Sequence, residues 1–304
     1  MSVVKVGADP EVFVKHLASR AIIPVCGLIG GTKEEPKEME GLMKRDEEEG
    51  GYAYQEDGCA YEFNIPATTS GQRFSSNIEV AWGWIRDRLH KSGLDPQIRA
   101  EYNFKEKDLY DQRACTIGCS PDMSAYGEDG PVVRKPLNIG EFGTRRFAGG
   151  HIHLGYNKKV PPHVIVKFLD VLVGLPSLVH DKQGARRMYY GLPGLYRDKP
   201  YGVEYRSLSN YWLKGAGGKS NYIHYLSGAF FDLGITAQNR PEVLANAYKM
   251  IPWDDVRDAI TTENVDLGLE IFRYASNVAK LPARYSHDLW SMSLDANITK
   301  KAPR

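Results

Sequence analysis

Gly149-Gly150-His151-Ile152-His153-Leu154-Gly155 is the stretch on which the fold turns. Two glycines lead into an alternation of imidazole and aliphatic side chains, the period-two pattern of a strand with one polar and one apolar face. Three other stretches place strongly polar residues two apart: Asp9 and Glu11, Glu62 and Asn64, Glu204 and Arg206. Their neighbours are largely apolar, namely Val12, Phe63, Ile65, Ile152, Leu154, Val203 and Tyr205. A half-solvated sheet also alternates, and any single pair fits that reading. Taken together, the four pairs offer carboxylates, imidazoles, an amide and a guanidinium rather than the Thr, Lys and Ser of a surface strand. If these strands are neighbours in one sheet, their polar face is the floor of a pocket. The Asp9–Glu11 pair is the least secure, because Pro10 removes a ladder donor.

Working outward, Val3–Gly7 and Glu11–Val14 read as strands, with Ala21–Pro24 pairing back on them. Tyr52–Gln55 and Cys59–Ile65 read as a hairpin turning at Glu56-Asp57-Gly58. Ser70–His90 carries helical spacing through Ile78, Val80, Ala81, Trp84, Ile85 and Leu89, with Gly93 as its stop. Residues 112–156 return to strand and turn character. Pro161-Pro162 opens a buried helix over His163–His180, Tyr201–Leu208 is a strand, and Ser220–Ala237 is a second buried helix. Amphipathic helices, including Val265–Lys280, follow. No repeat or linker divides the chain. The expectation is one α+β domain over 1–304, with helices segregated around a mostly antiparallel sheet. Within it, 32–50 is a charged mobile loop and 240–304 a helical C-terminal part.

Composition narrows the class. The 304 residues carry 39 Lys+Arg against 38 Asp+Glu, a net charge of +1, which gives no support to a broadly basic nucleic-acid binder. At 42% hydrophobic and 25% charged residues, global disorder is excluded. Cys26, Cys59, Cys115 and Cys119 form neither a disulfide framework nor a zinc spacing, so reduced thiols in a cytoplasm are expected. The N-terminus lacks the pattern of a signal peptide. The most apolar run, Val164–Val179, is broken by Lys167 and Asp170, and no membrane association is expected.

Carboxylates converging on one face repel unless a cation joins them. Mg2+ is the natural ion, since it takes a few protein carboxylates together with phosphate oxygens. Arg186, Arg187, Arg197 and Arg206 lie close together in the chain and supply groups suited to forked hydrogen bonds with phosphate or carboxylate. There is no Walker-type run and no G-x-G-x-x-G, so the usual glycine-rich phosphate cradles are absent. Lys33, after Gly30-Gly31-Thr32, fits a phosphate contact and a solvated turn equally well. Trp212 is the aromatic most suited to a pocket wall, and Asp9 and Asp57 are candidate bases.

Read in order, Gly7-Ala8-Asp9-Pro10-Glu11, Gly31-Thr32-Lys33, Glu56-Asp57-Gly58 with Glu62-Phe63-Asn64-Ile65-Pro66-Ala67, Gly118-Cys119-Ser120-Pro121-Asp122, residues 149–155 and Glu204-Tyr205-Arg206 resemble a phage-type amidoligase family. This is the carboxylate–amine ligase type 2 group, related to glutamine synthetase and glutamate–cysteine ligase. The resemblance spans residues 7 to about 212. It implies a curved, mostly antiparallel sheet forming a funnel-like site, and ATP-dependent amide formation through an acyl phosphate. It implies Glu11, Glu62 and Glu204 as metal-binding glutamates, with His153, or else His151, near metal or nucleotide. Arg206 would face the transferring phosphate, with Glu62 and Glu204 beside it. Arg197 and Arg187 transfer more weakly, to phosphate or substrate carboxylate. Mg2+ is the implied ion, with Mn2+ as its substitute. The implied partners are small-molecule or peptide carboxylates and amines, in a host-cell cytoplasm if the gene is phage-borne, with homo-oligomers common among related ligases. No segment matches an ammonia-binding loop, which leaves the acceptor open. Two alternatives stand beside this reading: a two-histidine, one-carboxylate iron enzyme built on His151, His153 and Glu204, and a non-catalytic binding protein on a ligase fold. A nucleic-acid substrate has no basic stripe to support it.

Overall fold

The computed structural model describes residues 3–115, 122–135, 137–216 and 222–278. Of the string Gly118–Asp122, only Asp122 lies within them, and Cys119, His287, Trp290 and the end of the C-terminal part lie outside.

The first strand, β1 (Lys5–His16), is continuous through Pro10 rather than split in two. Pro10 sits opposite Gly150 at the end of one ladder, and the next donor, Glu11 N–H, reaches the Gly149 carbonyl at 2.9 Å. The missing proline N–H therefore falls where one pairing stops, and the strand survives it. The short β2 (Ile22–Ile23) folds back on β1 at Val14 and Lys15, as the sequence suggests. The charged stretch after it holds β3 (Lys37–Glu38) and two buried side chains, Met39 and Glu48.

β4 (Ala53–Asp57) and β5 (Ala60–Thr68) form the expected hairpin, with the turn one residue later than the sequence reading. Gly58, at φ 55°, supplies the left-handed backbone of a two-residue loop. Asp57 thus belongs to the strand, where its side chain has a fixed face. Helix α1 (Gly71–Lys91) ends before Gly93 at φ 71°, followed by β6 (Leu94–Gln97), which also pairs with β1, and β7 (Glu101–Asn103). Then come β8 (Met123–Gly127), β9 (Gly130–Val133), β10 (Arg145–Phe147) and β11 (Gly150–Gly155). Helix α2 (Pro162–Leu169) runs into a wider π-type turn at Asp170–Gly174. α3 (Arg186–Tyr189), β12 (Leu195–Lys199), β13 (Gly202–Tyr205), α4 (Tyr222–Asn239), α5 (Pro241–Tyr248), α6 (Trp253–Thr261) and α7 (Val265–Val278) complete the described chain.

The result is α+β: one open sheet of 11 strands in the order β3-β4-β5-β1-β11-β13-β12-β8-β9, with β2 and β6 also on β1. Neighbours along this path are antiparallel, and β7 and β10 make a separate ribbon. One face of the sheet, carrying Val6, Val12, Phe63, Ile152, Leu154 and Val203, packs with Phe74, Ile78, Ile165, Phe168 and Phe230 of α1, α2 and α4 in a single core. The polar partners of those strand residues are turned to the other face. Trp212 belongs to the apolar side, not to a pocket wall: it is 2% exposed, neighbours Phe74 and donates from its indole to the Gly150 carbonyl at 3.1 Å. None of the described helices is long and apolar enough to cross a membrane.

Asp170 is an ionisable group inside that core. The Tyr205 hydroxyl donates to it at 2.7 Å, and the residue is fully buried. Burial pushes its carboxyl up to about 7, against the opposing pull of the Tyr205 hydrogen bond. A carboxyl whose folded pKa lies above its unfolded one stabilises fully below the unfolded value and loses that contribution as pH rises through the folded one. Asp170→Asn is therefore expected to remove a decline of up to about 1.4 kcal/mol per pH unit between roughly pH 4 and 7. Thermal unfolding of both proteins across pH 5–8 measures this; parallel curves would refute the assignment.

Candidate active site

Register converts the alternating pairs into a continuous polar floor. Glu11 on β1 faces Glu62 on β5, Asp9 faces His151 on β11, and His153 faces Glu204 on β13, which in turn faces Arg197 on β12. Asp57 joins from the end of β4. The two glycines before the histidines are required by space. A Cβ on Gly149 would run into the His151 ring, and one on Gly150 into the Ser209 carbonyl and the Trp212 indole.

On one side of this floor, guanidinium groups hold the carboxylates. Arg206 is 2% exposed and pairs with Glu204 through Nη1, with Asp122 through Nε at 3.2 Å, and donates from Nη2 to the Tyr190 hydroxyl at 3.0 Å. Lys199 Nζ lies 2.9 Å from the other Glu204 oxygen, and Arg197 reaches both Asp122 (3.3 Å) and Glu204 (3.6 Å). Burial works to raise the Glu204 pKa, but Arg206, then His153, His151 and Arg197 outweigh it and hold the carboxyl well below the usual range. The two histidines part company. Burial and then Arg206 keep His151 neutral, far below an ordinary imidazole. His153 is partly buried, which works to lower its pKa, yet Asp9, with Oδ1 at 2.9 Å from Nε2, raises it. Its Nδ1 lies 2.6 Å from the Tyr201 hydroxyl.

The other side is carboxylate-rich. Glu11 accepts from the Gly149 N–H at 2.7 Å and from Tyr190 at 3.1 Å. Burial, then the Asp57 charge, raises its pKa to about 7. Glu62 is pushed well above the ordinary value by burial and by Asp9, Asp57 and Glu11, with the Lys33 charge opposing. Such mutual repulsion is relieved by protons or by a bound cation.

Two groups of side chains bring ligand atoms within 4.8 Å of one another: Glu11, Asp57 and Glu62, and Asp9, His151 and Glu204. The first is an all-oxygen set suited to Mg2+ or Mn2+. In the second, His151 is 2% exposed, and its Nε2 has no hydrogen-bond partner among the described residues. These donor sets fit a hard divalent ion.

The structure thus gathers Glu11, Glu62, Glu204, His151, His153, Arg197 and Arg206 on one face. Lys33 is exposed at its margin, close enough for its charge to act on Glu62. Arg187 is not brought to the floor: it is 1% exposed and donates to the Gly191 and Ser207 carbonyls. Arg186 behaves similarly, donating to the carbonyls of Ser207 (3.2 Å), Leu208 (2.8 Å) and Arg206 (3.3 Å). These two arginines hold the chain that carries Arg206. Sequence reasoning missed Tyr190, which bridges Glu11 to Arg206, and nothing local separates it from Tyr189. It also missed Lys199, which the period of two from Arg197 would have revealed.

Residues 139–222, which include β11, β12, β13 and the arginine run, match the family described as phage phiEco32-like COOH.NH2 ligase-type 2. The resemblance read from the sequence holds over this segment, and it supports a carboxylate–amine ligase. No curated protein matches the chain. Similar solved structures include one titled "GmaS/ADP complex-Conformation 1", with 10% identity, TM-score 0.43, and coverage of 99% of this chain and 71% of that one. Another is titled "Crystal structure of novel glutamine synthase homolog", with 12% identity, TM-score 0.33, and coverage of 96% and 71%.

Arg186→Met removes three buried hydrogen bonds from a charged donor to backbone carbonyls, each worth about 1.5–3 kcal/mol. A loss of at least about 3 kcal/mol in urea unfolding is expected; a loss below about 1 kcal/mol would show that this arginine is not the scaffold described.

Proposed function

We propose that this protein is an ATP-dependent carboxylate–amine ligase that forms an amide through an acyl phosphate. The observation that carries the reading is the polar floor itself, with carboxylates, imidazoles and guanidinium groups of β1, β5, β11, β12 and β13 on one sheet face between two cavities. Along the strands, one end of the floor opens into a cleft of about 740 Å³ bordered by Lys5, Asn64, His153, Tyr156 and Tyr201. The other end meets a smaller, partly open pocket of about 50 Å³ bordered by Glu11, Asp57, Phe147 and Tyr190. Two substrates entering from opposite ends would meet over the carboxylates. The larger cleft has room for a nucleotide.

In this reading the carboxylate substrate attacks the terminal phosphorus of ATP, and ADP leaves. The amine nitrogen then attacks the acyl carbon, phosphate leaves, and the amine gives up a proton. Such a transfer depends on positioning and charge neutralisation. Glu11, Asp57 and Glu62 would hold a divalent ion, whose chemistry is to neutralise phosphate charge and orient its oxygens. Arg206 is oriented by Glu204, Asp122 and Tyr190, so its guanidinium stands ready for charge that develops on the phosphoryl group, with Arg197 and Lys199 beside it. His151, held neutral, adds no positive charge. Neither ligand group contains both histidines, so nothing favours the two-histidine iron alternative.

Calorimetric titration with a non-hydrolysable ATP analogue tests the reading. Binding that requires Mg2+ and is lost in Glu62→Gln is expected; a folded wild type that binds no nucleotide in any condition would overturn it. Once substrates are found, Arg206→Ala should lower turnover by roughly 10²–10³ with the fold retained. Near wild-type turnover in that variant would remove Arg206 from the chemistry.

A further inference from the structure

The smaller cavity is bordered by two charged groups, Arg145 and Asp57, for which the described residues offer no side-chain partner. Arg145, half-buried at the start of β10, makes no side-chain hydrogen bond or ion pair among the described residues. Its neighbours differ. Arg146 donates to three backbone carbonyls, and Arg186 and Arg206 are fully engaged as described. Asp57, which borders the same cavity, likewise forms no side-chain hydrogen bond or ion pair among the described residues. The remaining wall is aromatic. Phe142 and Phe147 meet edge to face with centroids 5.3 Å apart, and the Phe147 and Tyr190 rings lie within 12° of parallel at 6.3 Å.

A guanidinium without a side-chain partner among the described residues, beside an apolar aromatic wall, matches a ligand with a carboxylate and an apolar body. The third element is the carboxylate group of Glu11, Asp57 and Glu62. Even with a divalent ion among them, three carboxylates outnumber its two charges, so the far end of the ligand is better a cationic amine than a second carboxylate. Free ammonia would leave both Arg145 and the rings without a partner. We propose that this cavity binds the amine substrate, and that this substrate is an α-amino acid with an apolar side chain. Its carboxylate is held by Arg145, its side chain lies against Phe142, Phe147 and Tyr190, and its amino group points toward Asp57. This rests on the ligase reading and deepens it. The bound ammonium first gives one proton to solvent; in the amide-forming step the neutral amine nitrogen bonds to the acyl carbon, the bond from that carbon to the phosphate oxygen breaks, and inorganic phosphate departs with the second proton. Arg145 touches the substrate only and decides which amines enter.

The test needs no knowledge of the carboxylate substrate. The full-length protein, with Mg2+ and the non-hydrolysable ATP analogue present, is titrated in the calorimeter with the standard apolar and aromatic L-amino acids. L-phenylalaninamide, which keeps the amine and ring but lacks the carboxylate, and ammonium chloride serve as comparisons. Binding of at least one amino acid, weakened about 10–100-fold in Arg145→Ala and partly restored in Arg145→Lys, is expected. The amide should bind wild type and Arg145→Ala alike and weakly. Equal affinity of wild type and Arg145→Ala for the amino acid, or no amino-acid binding by a protein that binds the nucleotide, would overturn the inference and leave the ligase reading in place. Failure of the nucleotide alone would strike the ligase reading instead. Arg145 has no side-chain partner among the described residues, so thermal unfolding of both variants should match wild type.

Discussion

Carboxylates cannot share a water-poor surface unless something balances their charge, and this requirement governs the polar face of the sheet. Glu11, Glu62 and Glu204 are buried, with Asp9 and Asp57 beside them. The protein meets the requirement differently at the two sides of the floor. Around Glu204 it supplies its own cations, Arg206, Arg197 and Lys199, and the carboxyl is held ionised. Around Glu62 it supplies little, and burial with neighbouring charge pushes Glu11 and Glu62 upward. A site that balances one cluster and leaves the next one short is arranged to receive positive charge from outside.

That asymmetry depends on a scaffold that spends much of its own hydrogen-bonding capacity on the backbone. Arg186 and Arg187 reach the carbonyls around Ser207, and Asn210 ties the Glu11 carbonyl to that of Arg99. These contacts fix the segment from which Arg206 projects. Tyr190 then links the two sides, donating to Glu11 and accepting from Arg206, so each half of the floor is positioned partly by the other. Groups held this way are placed before any substrate arrives, which is the usual source of catalytic advantage in transfer between charged species.

The loops at the Glu11 end of the floor answer to a different constraint. Gly58 lets the hairpin turn in two residues and so leaves Asp57 on the strand. Gly149 and Gly150 let β11 pass close to Trp212 and Ser209. Small backbone permissions of this kind set where a carboxylate or an imidazole stands, while the side chains that perform the chemistry have no say in it.

The alternation of polar and apolar residues in β1, β5, β11 and β13 was legible in the sequence, because side-chain direction in a strand follows from local stereochemistry with a period of two. It determined which residues share a face, down to the unsuspected Lys199, and the sandwiching of a helical core against the other face followed from the same pattern. What it could not determine is partnership. That Glu11 meets Glu62, that His153 rather than His151 takes Asp9 at close range, that Arg206 faces the floor while Arg186 and Arg187 turn to backbone carbonyls, and that Trp212 is core: each depends on register and burial between segments tens to hundreds of residues apart. Those are settled by how the whole sheet packs, since no local rule distinguishes one buried arginine or tyrosine from its neighbour.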